Sequence, residues 1–147
     1  MKHEHINAIK NGLMSLIVEV DGKTIHTSKG FGVWPLWHLF KSGLSDGPFS
    51  IYDKVIGMGA ARIMEQMGNI LFLYAATITE AALERLCAKG VNVQYDHVVP
   101  AILNKNRDGL CPVEKISLDS STFEDLMNRL DEFYERVRTS YEERVSP

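Results

Sequence analysis

A chain of 147 residues is long enough for one domain with a real core and too short for two comfortable ones. Apolar residues make up 45% and charged residues 24%, and the net charge of −3 argues against electrostatically driven binding to nucleic acid. No apolar run reaches the ~18 residues that a membrane span needs, and the polar start MKHEHINAIKNG does not read as a signal peptide. Cys87 and Cys111 are too far apart for zinc spacing and too few for a disulfide framework, so the expectation is a cytoplasmic protein with reduced thiols.

Residues 2–11 fit a short helix with Ile6 and Ile9 inward. LMSLIVEV (13–20) and KTIHTS (23–28) flank Asp21-Gly22, which predicts a hairpin with the second run as its outer strand. In residues 30–43, Val33, Leu36, Trp37 and Phe40 fall at helical spacing, and Pro35 suits a first turn. A loop over 44–48 follows. Ser50 and Asp53 then form an acidic variant of the capping box, which predicts a helix running from there to Gly68. NILFLYAA (69–76) reads as a strand covered on both faces.

Thr77 and Glu80 repeat the capping pattern and open a helix ending at Gly90, and VNVQY (91–95) is the next strand. This alternation implies a right-handed crossover and parallel pairing. The segment from Asp96 to Pro112 is irregular, and EKISLD (114–119) is expected to add a short strand. Residues 122–144, opened by Ser121 and Glu124, form a long amphipathic helix with Phe123, Leu126, Met127, Leu130, Phe133, Tyr134, Val137 and Tyr141 on one face. At 1.5 Å per residue it is ~35 Å long, so its last turns are expected to outrun the core. The pieces assemble into an α/β domain of three α/β/α layers: an antiparallel first hairpin, later parallel strands and helices on both faces. Residues 1–121 form that domain. Residues 122–147 either belong to it or serve as an oligomerisation element.

Four features bear on chemistry. GMGAA (57–61) does not follow a strand in the G-x-G-x-x-G pattern of dinucleotide sites. Gly57, Ala60, Ala61 and Met64 are better read as a small-residue face that lets the helix approach the sheet. Lys54, in the first turn of the helix expected from Ser50, opposes the helix dipole unless an anion also binds there. His97 follows Asp96 at the expected end of a strand, where a surface histidine and a site residue are both open readings. Cys111, within NRDGLCPVEK (106–115), is open to three readings: a small wall residue, a nucleophile, or a metal ligand lacking companions. Cys87 is expected to be structural.

The blocks LIVEVDGKTIHTSKGFGVWPL, DKVIGMGAA, YAATITEAALERL and DGLCPVEK, in this order and spacing, resemble a bacterial domain family of unknown function with a cytidine-deaminase-like fold. The resemblance covers about residues 5–120. It implies a mixed sheet with an antiparallel first pair, and a pocket where two helix starts converge at the strand ends. That pocket would gather Asp53, Lys54, Thr77 and Glu80, with the loop carrying Arg107 and Cys111 closing over it. A zinc deaminase places H-x-E at one of these helix starts and P-C-x-x-C at the other. Here those places read DKV and TITEAAL, so neither zinc nor another cofactor is expected, nor zinc-dependent deamination.

The leading functional expectation is non-catalytic binding of a nucleoside- or nucleotide-like molecule. Lys54 and Arg107 would meet phosphate, and Asp53 or Glu80 would meet ribose or base. The alternatives are an enzyme with Cys111 as nucleophile, and an assembly protein that forms a homo-oligomer through its last helix. No nucleic-acid or membrane partner is expected.

Overall fold

The computed structural model describes residues 2–30, 32–44 and 46–145, with side chains of the last helix through Arg138. Helix α1 (His3–Lys10) leads into a hairpin of β1 (Leu16–Val20) and β2 (Lys23–Ser28), as the Asp-Gly signal predicts. Asp21 and Gly22 both take positive φ, 52° and 78°, the geometry of a tight two-residue turn. Helix α2 (Trp34–Lys41) has Pro35 in its first turn and buries Leu36, Trp37 and Leu39.

The largest departure from the sequence reading comes next. Residues 49–56 are not a helix but strand β3 (Phe49–Ile56), and helix α3 (Met58–Met67) starts only after Gly57. β3 lies between β1, antiparallel, and β4, parallel, so two ladders of backbone bonds outweigh the local capping pattern at Ser50. The run Ile51, Tyr52, Val55, Ile56 suits that central position. Strand β4 (Ile70–Thr79) and strand β5 (Val93–Val99) both extend further than expected, and His97 lies inside β5 rather than at its end. Helix α4 (Glu80–Ala88) is capped by Thr79, whose hydroxyl accepts from the N–H of Ala82, and not by Thr77. The expected short strand at 114–119 is helix α5 (Pro112–Asp119), with Pro112 at its first position. Helix α6 (Phe123–Val145) is capped by the hydroxyl of Thr122, which accepts from the N–H of Asp125, and not by Ser121.

The sheet order is β2-β1-β3-β4-β5. Alternating side chains divide it between two faces. Ile17, Tyr52 and Tyr74 meet Ile6 and Ile9 of α1 on one side. Leu16, Val18, Ile51, Leu73 and Ala75 meet the other helices on the opposite side. The three layers are therefore unequal, with α1 on one face. α1 is fastened at both ends. Lys2 and His5 reach the buried carboxylate of Glu19 at 2.5 and 3.4 Å. Lys10 pairs with Asp96 at 3.6 Å, and Asp96 also accepts from the hydroxyl of Tyr74. Leu126 and Leu130 lie in the main core, so the first half of α6 packs on it. Val137 is exposed, and Tyr141 lies outside the residues whose side chains are described. Among the described residues no helix is long and apolar enough to cross a membrane.

Candidate functional site

The C-terminal ends of parallel strands are where open α/β sheets place their sites, and here β3 runs through Gly57 into α3. A helix start leaves backbone N–H groups without intrahelical partners. Gly57 offers no side chain to satisfy them. The partner comes from α5: the N–H of Met58 donates to Oε1 of Glu114 at 3.0 Å. A carboxylate there also complements the helix dipole. Burial pushes the Glu114 carboxyl above the usual carboxylate range, while the Met58 N–H pulls it partly back.

The two glycines of GMG make this contact sterically possible. A Cβ on Gly57 would lie 2.0 Å from Oε2 of Glu114 and 2.5 Å from Cδ1 of Ile102. A Cβ on Gly59 would lie 2.7 Å from Oγ of Ser117. Gly57 and Gly59 therefore admit α5, where the sequence reading has Gly57 letting the helix approach the sheet, while Ala60, Ala61 and Met64 sit in the core. One turn further, the buried guanidinium of Arg62 donates from Nη1 to the carbonyls of Ser117 and Ser120, at 2.9 and 2.7 Å. It satisfies carbonyls at the end of α5 that the helix itself leaves open. Helices α3 and α5 are thus held together by two polar clasps with two glycine-lined contacts near the first.

Two hollows open beside this joint. One, of about 230 Å³, is mainly apolar and is lined by Val33, Val55, Gly57, Ile102, Cys111 and Glu114, among others. The second, of about 260 Å³, is more polar and is lined by Met14, Ser15, Lys29, Gly30, Asp53 and Lys54, among others. Gly32 and Val55 line both. Each alone is small beside the ~300–1,000 Å³ typical of small-molecule pockets.

Asp53 and Lys54 are neighbours on β3 and not in a helix start. Asp53 pairs across the sheet with Leu16 and Ala75, and its carboxyl is buried. Desolvation raises its pKa to about 8, against the pull of the Lys54 and Val55 N–H groups. Near neutral pH it is a protonated acid that can both donate and accept a hydrogen bond. Lys54 is exposed at the rim. Cys111 is half-buried as the N-cap of α5, and its backbone N–H donates to the carbonyl of Ile102 at 2.9 Å.

The other three expected site residues line neither hollow. Thr77 is half-buried on β4 between Val55 and His97, and Glu80 is the exposed first residue of α4. Arg107 is exposed in a turn at φ 59°, inside a loop closed by the bridge between Leu103 and Leu110. The sequence reading missed Lys29, Arg62 and the role of Glu114. A signal for Glu114 existed: Pro112 followed by an acid two residues later suits a first helical turn. Cys87, read as structural, is exposed on α4. Among the described residues, no three His, Cys, Asp or Glu side chains gather in a way that could hold a metal ion.

Larger grooves, of about 540 and 720 Å³, flank the far half of α6. The second is walled by Trp34, Trp37 and Tyr134. Lys41 lies 4.4 Å over the Trp37 ring and pairs with Asp131 at 2.9 Å. The first of these grooves also touches Pro112, Lys115 and Ile116 of α5, and Asp53 and Glu114 line neither.

Residues 4–134 match the family TM1506, described as a domain of unknown function (DUF1893). The crystal structure of a DUF1893 family protein (TM1506) from Thermotoga maritima is similar, with a TM-score of 0.73 and 24% identity over 90% of this chain and 91% of that one. At that identity the likeness shows the fold alone. No curated protein matches the chain.

Proposed function

Since the chain belongs to the DUF1893 family, whose description leaves function open, we propose from its own geometry that it binds a nucleoside-like small molecule without transforming it. The observation that carries this reading is the buried carboxyl of Glu114 on the wall of an otherwise apolar hollow. A flat heterocycle suits such walls. With Oε1 of its carboxyl already accepting from the Met58 N–H, Oε2 is left to meet a polar atom of the ring edge. The neighbouring hollow, with Asp53 and Ser15, is polar enough for a sugar. The Cys111 thiol belongs to the wall in this reading.

The test is a melting-temperature panel of nucleosides, nucleotides and dinucleotides on the wild type and on Glu114→Gln and Asp53→Asn. A ligand specific for the folded state at 100 times its Kd adds about 2.7 kcal/mol. In a chain of this size that is a rise of roughly 5–10 °C. Glu114→Gln should change which members of the panel bind, because an amide presents the ring edge with a different hydrogen-bonding group from a carboxyl group. A flat response across the panel would sink the proposal.

A further inference from the structure

We infer that the polar hollow beside β3 is an anion subsite, in which Lys29 and Lys54 hold the phosphoryl group of a mononucleotide whose base occupies the adjoining apolar hollow. The inference rests on the ligand reading just given and narrows it from nucleosides to their phosphomonoesters.

Several independent observations converge. Lys29 comes from the segment after β2 and Lys54 from β3, two separate elements that both line one hollow. Lys2, Lys10 and Lys41 are each paired with a carboxylate, whereas among the described residues neither Lys29 nor Lys54 is in an ion pair. Two like charges at one hollow repel until an anion lies between them.

The hollow is also open at its backbone. A Cβ on Gly12 or Gly32 would meet nothing within 4 Å, so a tetrahedral group can approach the chain there. Gly30 is fixed, its N–H donating to the hydroxyl of Ser28 at 3.0 Å. Finally, the carboxyl that lines this hollow, Asp53, is kept protonated by its burial near neutral pH, so it does not oppose an anion. Gly32 and Val55 border both hollows, which puts the anion next to the base site and not at a remote surface.

The experiment is calorimetric titration of the full chain with matched nucleosides and nucleoside 5′-monophosphates, and with inorganic phosphate alone. The expected result is that the monophosphate binds at least about tenfold more tightly than its nucleoside. That preference should shrink with added salt and vanish in Lys29→Ala/Lys54→Ala. Both lysines are exposed, so the double variant should fold, which its melting curve checks. Its affinity for the nucleoside, measured alongside, is the reference for that preference. If nucleoside and monophosphate bind equally, or if the double variant keeps the preference, the anion subsite is wrong while the nucleoside reading stands. If neither binds, both fall together.

Discussion

Gly57→Ala is the sharpest test of how the site is built. The backbone at Gly57 is extended, φ −106° and ψ −165°, which alanine adopts freely. Any cost therefore comes from what the new methyl meets. It would lie 2.0 Å from Oε2 of Glu114 and 2.5 Å from Cδ1 of Ile102. Glu114 cannot retreat without leaving the Met58 N–H, so the methyl both overpacks the joint and breaks the clasp. Overpacking a core costs about 1–3 kcal/mol, and the lost hydrogen bond adds about 1 kcal/mol. The sum, roughly 2–4 kcal/mol, corresponds to a melting temperature lower by roughly 5–12 °C.

Urea denaturation of Gly57→Ala, Glu114→Ala and the double variant measures it. Removing Glu114 makes room for the methyl, so the double variant should be more stable than additivity predicts, by about 1–2 kcal/mol. Gly12→Ala is the contrast. Its cost should be about 1–2 kcal/mol, from φ +75° alone, because no atom lies within 4 Å of the added Cβ. Strict additivity at Gly57 and Glu114, or a neutral Gly57→Ala, would refute the close approach of α5 to the start of α3.

Three further outcomes follow from the same geometry. Asp53 holds its proton to about pH 8 when folded and loses it near 3.8 when unfolded; between these values the folded state binds more protons, so stability falls as pH rises across that window and levels above it. Asp53→Asn should flatten this part of the stability–pH curve and leave the variant more stable than the wild type at pH 9, and parallel curves would contradict the buried acid. Arg62→Met removes two charge-assisted bonds to the carbonyls of Ser117 and Ser120; it should cost about 2–4 kcal/mol and speed amide exchange in α5 more than in β3. In the folded protein, iodoacetamide should modify exposed Cys87 before half-buried Cys111, and in Cys87→Ser a bound mononucleotide should slow modification of Cys111, as peptide mapping would detect.

Much of the secondary structure was written in local signals. Asp21-Gly22 specifies the hairpin because both residues tolerate positive φ, and Pro35 with the spacing of Val33, Leu36 and Trp37 specifies α2. The apolar stripe of α6 was legible because Leu126 and Leu130 recur at helical period. Where local signals competed, they misled. Ser50 and Asp53 match a capping pattern, yet Asp53 is a buried residue of a central strand. Thr77 and Glu80 match it too, yet the β-branched run through Ile78 continues the strand until Thr79 caps the helix.

The sequence by itself determined an α/β domain, its first hairpin, the succession of β4, α4 and β5, and a long final helix, because these follow from periodicity and turn residues within a few positions of one another. It also named Asp53, Lys54 and Cys111 as residues to watch. Only the tertiary structure decided that residues 49–56 form the strand between β1 and β4, since that depends on two partners distant in sequence. It alone brought Lys29 beside Lys54 and set Glu114 on the start of α3, 56 residues from Met58. Such contacts leave no local pattern, because the energy that selects them comes from desolvation and packing between segments that meet only when the chain is folded.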